Sequence, residues 1–140
     1  MTAVAGTGRN PVFTEEVGML AGQTVLVVEA EYLIALDIQT SLEDLAAGEV
    51  IIAQSAPHAR EMLGEDWHRY SLAIIEVERG LPDNMNFAGE LGRRGVSVIV
   101  LTADAELHKT LSPGIPILQK PVPSEALTAA VAAVSALQNE

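Results

Sequence analysis

Five times along this chain a short apolar run rich in β-branched and aliphatic residues is followed by a stretch with apolar residues near helical spacing. That alternation restricts the fold more than any other feature of the sequence. Val25-Leu26-Val27-Val28 is apolar at every position, so a strand made from it must be covered on both faces, as in a parallel sheet. Residues 31–47 then place Leu33, Ile34, Leu36, Ile38, Leu42 and Leu45 on a helix crossing back over the sheet, with Gly48 as its stop.

The cycle repeats at residues 50–53, where Ser55 is positioned to cap a helix running through Met62 and Leu63 to Gly64. Residues 72–75 make a third strand, 84–94 a third helix ended by Gly95, and 96–101 a fourth strand. A short fourth helix is expected over 104–113, closed by Ser112-Pro113-Gly114. Residues 115–118 form a fifth strand that is short or at an edge, because Pro116 has no ladder hydrogen bond to donate. Ser124 caps a last helix through Leu127, Val131, Val134 and Leu137. Strands alternating with crossover helices imply a doubly wound α/β fold with helices on both faces of a parallel sheet.

With 140 residues there is material for one core, so the domain is expected over 22–140, preceded by a flexible extension over 1–21 rich in Gly, Thr, Asn and Pro. Within that extension, Val17, Met19 and Leu20 are the residues able to pack. Apolar residues are 49% and charged residues 19% of the chain, a balance that supports a buried core. The net charge of −11, with Lys109 and Lys120 as the two lysines, argues against binding nucleic acid or anionic membranes. Without cysteine there is no disulfide framework, thiol nucleophile or thiolate metal site. No secretory signal pattern opens the chain and no segment has ~18 uninterrupted apolar residues, so a cytoplasmic protein is expected.

In doubly wound sheets ligands sit beyond the carboxyl ends of the strands, so those ends are where chemistry belongs. They carry Glu29, Ala30 and Glu31 after the first strand, Glu76 at the third, Thr102 at the fourth, and Lys120-Pro121 after the fifth. Carboxylates beside a lysine and a hydroxyl can hold a divalent cation and a phosphoryl group. His58, His68 and His108 share no metal-ligand spacing and read as surface residues. Ser55, Ser71, Ser112 and Ser124 lack a nucleophile elbow, and no Gly-rich phosphate loop follows the first strand.

At these residues the chain resembles the receiver domains of two-component response regulators, from about residue 24 to the C-terminus. Val25-Leu26-Val27-Val28-Glu29-Ala30-Glu31 is similar to the first strand with its acidic pair, and Ile74-Ile75-Glu76 to the strand presenting the acceptor aspartate. Leu101-Thr102-Ala103 is similar to the switch threonine, and Gln119-Lys120-Pro121 to a lysine followed by a cis proline. The resemblance implies a flavodoxin-like five-stranded parallel sheet of order 2-1-3-4-5. It also implies that an aspartate takes a phosphoryl group with the help of magnesium.

Two departures fall in that pocket: Glu76 stands at the acceptor position and Ala30 at the second metal-binding acid. Magnesium requires near-octahedral oxygen ligation, and displacing a nucleophile by about 1 Å costs about a hundredfold in rate. The expectation is therefore a degenerate phosphoacceptor pocket of Glu29, Ala30, Glu76, Thr102 and Lys120, in a protein that is not an enzyme. No cofactor is expected; Glu29 and Glu76 are weak candidates for Mg2+. Lys120 reads as an ion-pair partner of Glu76, whose carboxylate imitates part of the phosphorylated state. Thr102 reads as satisfying local backbone, Glu31 as helping to start the first helix, and the Glu78 side chain as solvated. Ile117 stands where many receivers carry a switching aromatic ring.

The function expected is a stand-alone signalling module that binds another protein, such as a sensor kinase or another regulator, with no effector domain after Glu140. Its interaction face would comprise Ile117, Ala129, Ala132, Ala133 and Ala136, small side chains that also suit a homodimer through the last helix. The alternatives are a functional Mg2+-dependent phosphoacceptor and a structural dimerisation module.

Overall fold

The structure is a computed structural model that describes residues 18–107 and 114–138, with backbone alone for 136–138. Most of the 1–21 extension, including Val17, lies outside the described residues. So do His108, Ser112, the side chains of Ala136 and Leu137, and the greater part of the helix expected over 104–113.

Five strands form one parallel sheet: β1 (Thr24–Val28), β2 (Glu49–Ala53), β3 (Leu72–Glu76), β4 (Ser97–Thr102) and β5 (Ile117–Gln119). Their order is β2-β1-β3-β4-β5, as the resemblance implies. The connecting helices are α1 (Tyr32–Asp44), α2 (Ala56–Leu63), α3 (Pro82–Arg93) and the last helix, α4 (Ser124–Gln138). Because side chains alternate along a strand, Leu26 and Val28 enter one core with Ala56, Ala59, Leu63, Phe87 and Leu91 from α2 and α3. Val25 and Val27 enter the other core, with Ile38 and Leu42 from α1 and Leu127, Val131 and Val134 from α4. Continuous apolar runs are thus required by two covered faces, each fully buried aliphatic side chain contributing roughly 1.5–3 kcal/mol.

Local signals place most element ends. Ser55 Oγ accepts from the His58 N–H at 3.2 Å, capping α2, and Gly64 ends it at φ 59°. At the end of α1 the expected stop is displaced. The left-handed residue is Ala46, at φ 69°, with the Ala46 N–H donating to Glu43 O and the Ala47 N–H to Leu42 O. Gly48 instead permits a close approach, since a Cβ there would lie 3.1 Å from the carbonyl carbon of Gly22.

The Leu127 N–H donates to Pro123 O, so Pro123 holds the capping position of α4 and Ser124 is its first helical residue. Pro116 precedes β5, its carbonyl accepting from the Val100 N–H at 2.9 Å. Residues 104–107 form a turn closed by the Leu107 N–H on Asp104 O. Leu20 is buried and donates its N–H to Leu45 O, and Ala21 bridges Ala47, so the chain is docked from Met19 onward. Leu33, one of the helix-spaced apolar residues of α1, is 79% exposed; Ala35, Ile38 and Leu42 face inward.

Candidate functional site

β1 and β3 are hydrogen-bonded neighbours at the centre of the sheet, so their carboxyl ends carry Glu29 and Glu76 side by side. β5 runs beside β4, and the Lys120 N–H donates to Thr102 O at 2.8 Å, which turns the lysine toward the same end. The Lys120–Pro121 bond is cis. Four of the five residues read from the sequence as one pocket thus converge through their side chains, and Ala30 joins them through its backbone.

Lys120 Nζ lies 2.8 Å from Glu76 Oε2, and 3.2 and 3.4 Å from the two oxygens of Glu29. The other Glu76 oxygen accepts from the Ala30 N–H at 3.0 Å, and Glu29 Oε2 from the Glu31 N–H at 2.9 Å. Glu31 itself stands at the capping position of α1 without a side-chain cap bond. All three charged groups are nearly buried, with side chains 9% exposed for Lys120, 0% for Glu29 and 9% for Glu76. In such surroundings an ionised group persists only if its partners replace the lost water.

The two carboxyls respond in opposite directions. Burial pushes the Glu29 carboxyl above its ordinary value of 4.5, and the neighbouring Glu76 charge adds to this against the pull of the Glu31 N–H and Lys120. Burial acts on Glu76 in the same sense, but the hydrogen bonds from Lys120 and the Ala30 N–H outweigh it and hold Glu76 below its ordinary value. Burial likewise opposes the charge on Lys120, and the hydrogen bond to Glu76 with the attraction of both carboxylates overcomes it, raising the ammonium above 10.5.

Two side chains enter the site that sequence reasoning missed. Glu78, expected to be solvated, accepts from Thr102 Oγ1 at 2.9 Å and from the Ala103 N–H at 3.0 Å, with Lys120 Nζ 3.8 Å away. Its signal was its place two residues beyond Glu76, where strand-like alternation turns both side chains the same way. Asn84 is buried; its Nδ2 donates to Glu76 O at 2.8 Å and its Oδ1 accepts from the Ala56 N–H at 3.0 Å. Asn84 stands three and seven residues before Phe87 and Leu91, and an amide on the buried stripe of α3 was the available clue. Thr102 does satisfy local backbone, accepting from the Asp104 N–H at 3.0 Å, and it also donates to Glu78.

The donor set does not fit the magnesium ion that the resemblance implies. Ala30 brings no side-chain oxygen, the Glu76 oxygens are taken by an N–H and an ammonium, and both Glu29 oxygens lie against Lys120. Among the described residues no three His, Asp or Glu side chains are grouped as metal ligands. His58 and His68 are exposed on separate elements.

The mouth of the site is an open depression lined by Glu31, Ile34, Glu76, Glu78, Ala103 and Lys120 with Pro121. Beside it stand Tyr32 and Leu33, 65% and 79% exposed, the most exposed large apolar side chains among the described residues. Of the face read from the sequence, Ala129, Ala132 and Ala133 are exposed, whereas Ile117 is half-buried against the core under α2 and α3. Among the described residues no helix is long and apolar enough to cross a membrane.

No protein-family model matches the sequence, and no curated protein matches it. Solved structures do match in fold. A response regulator receiver domain protein from Clostridium thermocellum is 22% identical, with a TM-score of 0.69 over 84% of this chain and 97% of that one. The beryllofluoride-activated conformation of SdrG from Pseudomonas melonis Fr1 is 25% identical, with a TM-score of 0.65 over 82% of this chain and 98% of SdrG. The response regulator PhyR from Brucella abortus is 19% identical, with a TM-score of 0.71 over 91% of this chain, which spans about half of PhyR (54%). The sheet order, the strand-end cluster around Lys120 and these neighbours together identify the chain as having the receiver-domain fold of response regulators.

Proposed function

We propose that this chain is a signalling module that acts by binding another protein of a two-component pathway, a sensor kinase or a second regulator, without accepting a phosphoryl group. One observation carries the reading: Lys120 lies on the Glu76 carboxylate while the Ala30 N–H holds its other oxygen. The carboxylate at the acceptor position is therefore committed to internal partners. A nucleophile must present a free lone pair in line with its target, and misplacement by about 1 Å is costly. Ala30 also removes one of the two acids on which a magnesium ion would depend.

Two exposed surfaces support the binding role. Tyr32 and Leu33 form an apolar knob at the mouth of the site, and Ala129, Ala132 and Ala133 form a small-residue face on α4. Small side chains allow a partner helix to approach closely, and the same face would serve a homodimer.

The test is an amide NMR titration with magnesium and then beryllofluoride, which stands in for a phosphoryl group on a carboxylate. Resonances of Glu29, Glu76, Thr102 and Lys120 are expected to stay in place at millimolar metal. A saturable shift at Glu76 would restore the phosphoacceptor reading.

A further inference from the structure

Glu78 makes contacts that a solvated side chain has no reason to make. The hydroxyl of Thr102 accepts from the Asp104 N–H, so its own proton is free to go to Glu78 Oε1, 2.9 Å away. The Ala103 N–H donates to the second carboxylate oxygen at 3.0 Å, and the Lys120 ammonium stands 3.8 Å from the same atom. A hydroxyl, a backbone N–H and an ammonium aimed at one point make an oxyanion-binding set. Here the anion belongs to the chain itself.

A second contact joins the same two loops. Arg79 Nε pairs with Asp104 Oδ2 at 2.6 Å, and Asp104 Oδ1 accepts from the Glu106 N–H at 2.9 Å. Below them the Val77 N–H donates to Leu101 O at 2.8 Å. Three successive residues leaving β3 therefore hold the end of β4 and the loop after it: Val77 bonds to Leu101 within the strand, Glu78 to Thr102 and Ala103, and Arg79 to Asp104.

We propose that Glu78 is a tethered internal ligand whose carboxylate fills the oxyanion site of Thr102, Ala103 and Lys120, excludes small external oxyanions, and clasps the loop after β4 to the loop after β3. A tethered group competes at an effective concentration on the order of millimolar or more, so a free anion of similar intrinsic affinity is displaced. The proposal deepens the phosphorylation-independent reading of this site, and rests on it for the site's role in signalling. A receiver fold whose β4 loop is held by its own glutamate keeps one conformation without a diffusible signal.

Sulfate, titrated at constant ionic strength into the native protein and into Glu78→Ala, tests this by amide NMR. The native protein is expected to show no saturable shift. Glu78→Ala is expected to bind sulfate with shifts centred on Ala103 and Asp104, and a further Thr102→Val change should abolish them. Equal binding by native protein and Glu78→Ala overturns the proposal, as does a folded Glu78→Ala that binds nothing.

Native-state amide exchange gives an answer even if Glu78→Ala does not fold. The exposed Ala103 amide should exchange about tenfold or more slowly than an unprotected one, and exchange at the unprotected rate overturns the clasp. Uptake of beryllofluoride on Glu76 would overturn the phosphorylation-independent reading alone, so the two failures are distinguishable.

Discussion

Lys120 Nζ and Glu76 Oε2 lie 2.8 Å apart with both side chains only 9% exposed, so each is the other's main substitute for water. Lys120 also pairs with Glu29, whose side chain is fully buried. Replacing Lys120 with Met leaves two carboxylates facing each other without a counter-charge, and removing one partner of a buried pair costs about 3–5 kcal/mol. Without the ammonium both carboxyls take folded pKa values above their unfolded ones. Their penalty is then complete at neutral pH and fades as pH falls and they protonate. Urea unfolding of Lys120→Met should show the full deficit at pH 7 and a smaller one near pH 4, whereas equal deficits would mean that the charge on Lys120 is not what holds the site.

The opposed shifts of Glu29 and Glu76 give a second expectation. Glu29, raised by burial, binds its proton more tightly when folded, so its contribution falls as pH rises from 4.5 through its folded value. Glu76, held down by Lys120 and the Ala30 N–H despite its burial, contributes stability above 4.5 that is lost as pH falls through its folded value. Side-chain carboxyl NMR should therefore show Glu29 titrating above 4.5 and Glu76 below it. In Glu29→Gln the first slope disappears, so its stability relative to the native protein should improve as pH rises across that window. Lys120 adds a limit at the alkaline end, where stability is lost as pH rises through its raised value above 10.5.

Asn84 ties the site to the scaffold. Its buried amide joins the carbonyl of Glu76 at the end of β3 to the N–H of Ala56 at the start of α2. Asn84→Ala strands both backbone groups, at about 1–3 kcal/mol for each. The expected loss, about 2–6 kcal/mol by denaturant unfolding, should come with shifted Glu76 and Ala56 amide resonances. A loss below about 1 kcal/mol would show that neither bond matters to folding.

Signals of local backbone chemistry were legible in the chain, and so were the strands. Val25-Leu26-Val27-Val28 needs two covered faces whatever surrounds it, and Ser55 caps α2 with its own side chain, so both read correctly from sequence. Leu33 shares the helical spacing of α1 but not its burial, because spacing alone does not say which residues of the first turn face the sheet. Glu29, Glu76, Thr102 and Lys120 were legible as strand-end residues, since parallel topology brings such ends together. Glu78 and Asn84 left only a positional clue each, alternation past Glu76 and an amide on the buried stripe of α3, and the partners they take depend on a loop path and on a contact between α2 and α3 that those clues do not encode. The register of the turn after α1 was hidden for the same reason.

That turn supplies a pair of substitutions with opposite signs. Ala46 holds φ 69°, a conformation that costs a residue with a Cβ about 1 kcal/mol, while both motif hydrogen bonds, Ala46 N–H to Glu43 O and Ala47 N–H to Leu42 O, need that conformation. Ala46→Gly relieves the strain but frees the unfolded chain, leaving a net gain of about 0.5 kcal/mol. Gly48 sits two residues on, outside the left-handed region, and its constraint is space: an added Cβ would meet Gly22 backbone atoms at 3.1 and 3.2 Å. The Gly48 N–H also donates to Gln23 O at 2.8 Å, so the two segments cannot part without loosening that bond. Gly48→Ala should therefore destabilise by about 1–3 kcal/mol, as overpacking does. Thermal unfolding of the two variants checks both signs, and a stabilising Gly48→Ala would mean that the Gly22 segment yields freely and that the docking of Leu20 on Leu45 does not depend on this approach.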